Sequence, residues 1–205
     1  MTQPADALAR LKEGNRRFLS GVLRDDLIVS EARLKELSIE HSPLAIILGC
    51  SDARVPAELI FDQSLGDLFM IRVAGNIVAP SQIGSVEFAA ERFGTKLVVV
   101  LGHTGCGAIR ATLEELRRPT EGQSPNLRSI VDRVRPAVEG VLESGQDLDA
   151  ATIEHRAIRA NIKASVEQLC HGSQIVERLI AHEGLKVVGA EYSLETGEVD
   201  FFEGV

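Results

Sequence analysis

Hydrophobic positions fall into two rhythms along this chain. Short, nearly unbroken apolar runs at Leu44 to Leu48, Leu68-Phe-Met-Ile-Arg-Val73, Leu97 to Leu101 and Leu185 to Val188 read as strands buried on both faces. Between them apolar residues recur every three or four positions, the spacing of an amphipathic helix. Leu8, Leu11 and Phe18 mark a first helix, and a short second one from about Ser30 to Leu37 leads into the first strand. Ile83, Val86, Ala90 and Phe93 predict a helix that joins the second strand to Leu97–Leu101 as a βαβ unit. Ile109, Leu113 and Leu116 predict another, stopping near Arg118-Pro119, and residues 119 to 125 read as a loop rich in turn formers. Two longer helices follow, from Leu127 to about Leu142 with a kink expected at Pro136, and from Ala151 to Leu169. Ile175, Val176, Leu179 and Ile180 share a last helix ending at Gly184, and Glu195-Thr-Gly197 turns the chain into a final short strand.

Strands alternating with helices imply an α/β fold with a mostly parallel central sheet flanked by helices. Its 205 residues suit one domain spanning 1–205, with residues 1–40 as an N-terminal helical arm and 41–205 as the α/β part. Charge narrows the partners. There are 30 acidic against 22 basic residues, a formal charge of -8, and the basic ones are scattered, which argues against nucleic acid. The N-terminus lacks a basic start before an apolar core, and no apolar run approaches the roughly 18 residues of a membrane span, so the expectation is a soluble, cytoplasmic protein with no membrane partner. Three cysteines make an odd count that fits free thiols in a reducing compartment better than a disulfide framework. Cys170 reads as a structural thiol.

The candidate chemistry lies just after two of the strands. Cys50-Ser-Asp52-Ala-Arg54 follows the first, and His103-Thr-Gly-Cys106 follows the third. Either cysteine alone could be plain core. Together, Cys50, His103 and Cys106 are three soft or borderline ligands of the kind zinc prefers, and three protein ligands leave a fourth position for water, the pattern of a catalytic site. The carboxyl ends of strands in open α/β sheets are where ligands bind, and Gly49, Gly102, Gly105 and Gly107 would let backbone close around an ion.

These residues resemble the beta-class carbonic anhydrases. The likeness rests on Cys50-Ser-Asp52-x-Arg54-Val-Pro, Gly66-Asp-Leu-Phe69, Arg72-Val-Ala-Gly-Asn76, Gly102-His103-x-x-Cys106-Gly107, Val187-Val-Gly-Ala-x-Tyr192 and Leu-x-x-Gly14-Asn15-x-x-Phe18. It spans most of the chain. It implies an α/β zinc enzyme, one zinc ion per chain, that interconverts carbon dioxide and bicarbonate. It also implies a homodimer or homotetramer with active sites near the subunit interface and an N-terminal helix that embraces the partner.

A zinc ion at Cys50, His103 and Cys106 can lower the pKa of its bound water towards roughly 7, making hydroxide available at neutral pH. Two thiolates weaken that effect, so neighbours matter. Asp52 and Arg54 are the candidate catalytic pair: Arg54 would hold Asp52 ionised, and Asp52 would accept a hydrogen bond from the nucleophile and orient it. A plain loop salt bridge is the competing account. Carbon dioxide needs a little apolar space, for which Phe69, Ala74 and Val78 are candidates. His41 stands where the family commonly has a glutamine, and could donate a hydrogen bond, shuttle protons or be an ordinary surface residue. Ala53 replaces a common serine. Ile47 stands where one branch has the tryptophan that, with residues matching Arg72 and Tyr192, holds an inhibitory bicarbonate, so that regulation is not expected. Carbon disulfide or carbonyl sulfide hydrolysis at the same zinc site is the alternative reaction, and a non-catalytic zinc-binding regulatory protein the alternative class.

Overall fold

The computed structural model describes residues 2–24, 30–119, 122 and 124–205, so part of the loop expected at 119–125 lies outside the described residues. Among the described residues, eight helices and five strands follow in order: α1 (Pro4–Ser20), α2 (Glu31–Leu37), β1 (Ala45–Gly49), α3 (Ala57–Ile60), β2 (Leu68–Arg72), α4 (Pro80–Phe93), β3 (Leu97–His103), α5 (Gly107–Arg117), α6 (Pro125–Ser144), α7 (Ala150–His171), α8 (Gln174–Glu183), β4 (Lys186–Tyr192) and β5 (Val199–Glu203). A 3-10 turn at Ala74–Asn76 follows β2. Side-chain caps start several helices: the Ser30 hydroxyl accepts from the Arg33 N–H, Asp149 from Thr152, and Ser173 from Ile175 and Val176. Gly184, in the left-handed region at φ 75°, ends α8 as its position predicts. Helix α6 runs through Pro136 without being split there.

The strands form one sheet in the order β2-β1-β3-β4-β5, parallel except for β5. The βαβ unit expected from β2 through α4 to β3 therefore does not join neighbours, because β1 lies between them. Every residue of β1 and β3 is buried, which explains their continuous apolar sequence. One sheet face, with Ile46, Leu48, Val98 and Val100, packs under α4 to α8. The other, with Ile47, Val99, Leu101, Val188 and Ala190, is covered by α1 and α3.

Helix α1 is thus a lid on its own sheet. Ala7 and Leu11 are fully buried there, so one face of the expected N-terminal arm packs within its own chain. A leucine buried this way contributes about 2–3 kcal/mol. Gly14 allows the close approach, since a Cβ there would stand 1.7 Å from the Phe61 carbonyl oxygen. Asn15 beside it donates to the Ile60 and Gly197 carbonyls and accepts from the Val199 N–H, tying α1 to α3 and β5.

Candidate metal centre

Register brings the two clusters together. Gly49 of β1 pairs with Leu101 of β3 and Arg72 of β2, so Cys50 and Val73 leave the sheet level with Gly102, next to His103 at the end of β3. Cys106 is the N-cap residue of α5, which begins as soon as the loop after β3 has turned at Gly105, φ 66°. The ligand atoms of Cys50, His103 and Cys106 all lie within 4.8 Å of one another, and all three residues are buried. Among the described residues this is the one such group of His, Cys, Asp and Glu side chains.

The histidine tautomer follows from its neighbours. Nδ1 of His103 lies 2.9 Å from the Thr104 carbonyl oxygen, which can only accept, so Nδ1 carries the hydrogen and Nε2 the lone pair. Nε2 is buried with no hydrogen-bond partner among the described residues. An orphaned buried acceptor beside two thiols is costly unless something electrophilic fills the gap. The sulfurs have the same need. Cys50 is held down at about 4, chiefly because Cys106 donates its S–H to it, with His103 and the Gly75 N–H, 3.4 Å from Sγ, assisting against burial. Cys106 is pushed up by that same bond and by burial. One proton is shared by two sulfurs, and a cation between them is what lets both ionise. The Cys-His-Cys set, its size and its orphaned nitrogen therefore fit a divalent metal of zinc's preferences.

Asp52 faces this group and is held away from it. Its Oδ2 stands 3.9 Å from His103 Nε2, while Arg54 grips the carboxylate in a fork, Nε to Oδ1 at 3.0 Å and Nη2 to Oδ2 at 2.8 Å. The pairing arises from a turn, not from the extended backbone that the two-residue spacing suggests: the Arg54 N–H donates to Asp52 Oδ1 at 2.9 Å. Arg54 holds the Asp52 carboxyl well below the usual carboxylate range. Burial pushes His103 down, and the Cys50 thiolate, the Thr104 carbonyl and the Asp52 charge together outweigh it, so the ring is raised overall. Arg72 fastens the loop from below, donating to the Cys50 carbonyl at 3.0 Å and the Asp52 carbonyl at 2.6 Å.

A sequence model described as "Carbonic anhydrase" matches residues 45–199, which contain all of these groups. The chain belongs to the beta-class carbonic anhydrases. A carbonic anhydrase of Mycolicibacterium smegmatis is 35% identical over 97% of this chain and 93% of its own length. Carbonic anhydrase 2 of Mycobacterium tuberculosis is 36% identical over 96% of this chain and 91% of its own. The solved beta-carbonic anhydrase CafA of Aspergillus fumigatus aligns over 98% of this chain and 91% of that one, with a TM-score of 0.76 at 25% identity.

Against the carbonic anhydrase pattern, the remaining predicted residues divide. Ala74 opens the 3-10 turn whose Gly75 reaches Cys50, and Val78, fully buried, packs in the same apolar cluster as Cys50 and Cys106. Phe69 and His41 are not brought to the metal group within one chain. Phe69 pairs in register with Ile46, three residues below the level of Gly49, about 10 Å along the sheet. Its ring belongs to a set with Phe88 and Phe93, and His41 stacks on Phe93 at 4.6 Å, before the amino end of β1. Ile47 is buried under α1 with Tyr192, so the position that holds tryptophan in the bicarbonate-regulated branch is ordinary core here. Cys170 is half-buried and pushed up by burial, as a structural thiol would be.

Of the four glycines expected to let backbone close around an ion, Gly102 and Gly105 are required by geometry. A Cβ on Gly102 would meet Ile162 at 2.5 Å, and Gly105 has a positive φ. Gly49 and Gly107 have room for one. Sequence reasoning missed Arg72 as the tie beneath the loop, and Asn161 and Ser165 of α7, which donate to the Gly75 and Asn76 carbonyls. Two polar residues on the apolar stripe of α7 were the available signal.

Proposed function

We propose that this carbonic anhydrase hydrates carbon dioxide reversibly to bicarbonate and a proton, with zinc held by Cys50 Sγ, His103 Nε2 and Cys106 Sγ. The observation that carries the reading is Asp52: a buried three-ligand group stands next to a carboxylate that faces it yet is committed to Arg54. A bound zinc ion would supply the Lewis acidity that ionises water at neutral pH. Asp52 Oδ2 accepts the hydrogen of the attacking oxygen and aims its lone pair at carbon dioxide. Arg54 keeps that carboxylate ionised and turned from the metal, and Arg72 fixes the loop carrying both Cys50 and Asp52. The Gly75 N–H donates to the Cys50 sulfur and tempers its charge, as hydrogen bonds to metal ligands do. Ala74 and Val78 border the apolar space the substrate needs.

The names of the relatives favour carbon dioxide over carbon disulfide or carbonyl sulfide. We also infer that the chain acts as a single domain and assembles with copies of itself. Strand β2 is a sheet edge, and Phe88 lies beside it 55% exposed. No described helix is long and apolar enough to cross a membrane. Stopped-flow hydration of carbon dioxide by zinc-loaded protein is the test. Turnover far above the uncatalysed rate that disappears on chelation is the expected result, and zinc-loaded protein without it overturns the proposal.

A further inference from the structure

Hydration consumes carbon dioxide and water and yields bicarbonate and a proton. The proton must leave a buried site on every turnover, and the groups assigned above do not carry it to solvent. We propose that His155, paired with the buried Glu191, is the residue that takes this proton from the site and passes it to buffer. This rests on the function proposed above.

Position is the first argument. A cleft of about 430 Å³ is lined by Arg54, Thr104 and Gly105 on one side and by Glu154 and His155 of α7 on the other. Thr104 holds the His103 ring through its carbonyl, and Gly105 accepts from Arg54 Nη2 at 3.4 Å. The cleft wall is therefore the peptide that builds the metal group. Glu191 of β4 pairs in register with Gly102, one strand spacing of about 4.8 Å from the residue preceding His103.

The second argument is an otherwise unexplained buried acid. Glu191 is 5% exposed, and its Oε1 has no hydrogen-bond partner among the described residues. Its Oε2 meets Arg159 Nη1 at 3.1 Å and His155 Nε2 at 3.3 Å. The carboxylate fixes the imidazole at the cleft rim, where a ring nitrogen can accept a hydrogen and release it. His155 is itself 55% exposed, as a group that unloads to buffer has to be.

The surrounding charged groups are mostly paired with one another. Arg159 is shared with Asp200 of β5 at 2.8 Å and lies over the Phe202 ring. Arg110 of α5 is paired with Glu154 at 3.0 Å, and Glu195 completes the rim opposite Arg54. The other free histidines lie elsewhere. His41 precedes the amino end of β1, His182 is near the end of α8 just before β4 begins, and His171 is sixteen residues along α7 from His155, about 24 Å.

The step balances in atoms and charge: one N–H bond forms at His155 as an O–H bond of the reacting water breaks, directly or through cleft water, and buffer base removes that hydrogen. The test is steady-state hydration by zinc-loaded protein in dilute and in concentrated buffer, for wild type, His155→Ala and His155→Gln, with zinc content and thermal unfolding measured alongside. The expected result is kcat lower by about tenfold or more in dilute buffer, kcat/KM unchanged, kcat restored by concentrated buffer or added imidazole, and zinc content unaltered. Wild-type kcat in dilute buffer in either folded variant overturns the inference, as does a joint fall of kcat and kcat/KM that buffer does not rescue. Wild-type protein without hydration activity overturns the underlying reading together with this one, an outcome separable from a variant defect.

Discussion

The two ends of β1 carry residues of similar promise in sequence and unlike fates in the structure. At the carboxyl end Cys50, His103 and Cys106 meet in a buried group, with the Asp52–Arg54 pair beside it at the surface. At the amino end His41 stacks on Phe93 beside Phe69 and an exposed Phe88, away from any ligand atom of the same chain. The difference is one of closure. Parallel register ends β1 and β2 together and β3 two residues beyond, at His103, so a polar site can be satisfied within one chain, whereas the amino end offers apolar surface that one chain leaves open. The first end is closed around its polar groups; the second leaves apolar surface exposed.

The most severe way to break this comparison is to remove a ligand. Cys106→Ser or Cys50→Ser should abolish zinc retention and activity together, by elemental analysis and stopped-flow assay, since a hydroxyl is a far poorer zinc ligand than a thiolate. Full zinc occupancy in Cys106→Ser would remove that residue from the site. Next come the residues that face the metal without binding it. Asp52→Asn and Arg54→Ala should lower kcat/KM by roughly 10²-fold while most of the zinc stays bound, because their work is orientation. Near wild-type rates in both would reduce the pair to a surface salt bridge.

Legibility follows the same divide. That Cys50, His103 and Cys106 would come together, that Asp52 would pair with Arg54, and all five strands could be read because each rests on short spacing: an apolar run, then Cys-x-Asp-x-Arg or His-x-x-Cys. The strand order could not. Nothing local to Leu68–Val73 says that it pairs with β1 and not with β3. The intrachain seat of α1 was equally hidden, since an apolar stripe of Leu8 and Leu11 does not say which surface it covers, and the close approach of Gly14 to Phe61 appears only in three dimensions. Arg72, Asn161 and Ser165 were missed as supports because backbone carbonyls, their partners, leave no mark in sequence.

Smaller effects sharpen the contrast. Gly102→Ala should destabilise the fold by about 1–3 kcal/mol, because its methyl would enter the fully buried Ile162, while Gly107→Ala, at the start of α5 with nothing within 4 Å, should leave the midpoint of thermal unfolding unchanged or slightly raised. Equal effects would mean that the carboxyl end is not close-packed. At the other end, His41→Ala should leave zinc content unchanged and alter kcat by only a few fold. Loss of zinc from that variant would place His41 at the metal of its own chain and erase the division.

The last prediction concerns acid. Arg54 lowers the Asp52 carboxyl from its ordinary value, so the sign is that of a depressed acid: the stabilisation is fully present above the unfolded value near 4 and is lost as pH falls through the folded one. Asp149, lowered by the Thr152 N–H at the start of α7 and not held by Arg54, obeys the same sign and serves as the internal reference. Carboxyl-detected NMR should find Asp52 still ionised at pH 4, where free aspartates are about half protonated, and Asp149 titrating below a free aspartate. In Arg54→Gln the Asp52 midpoint should move up into the ordinary range while that of Asp149 stays put. If Asp52 titrates normally with Arg54 in place, the fork does not hold it, and the feature that distinguishes the catalytic end of β1 from a simple metal-binding end is gone.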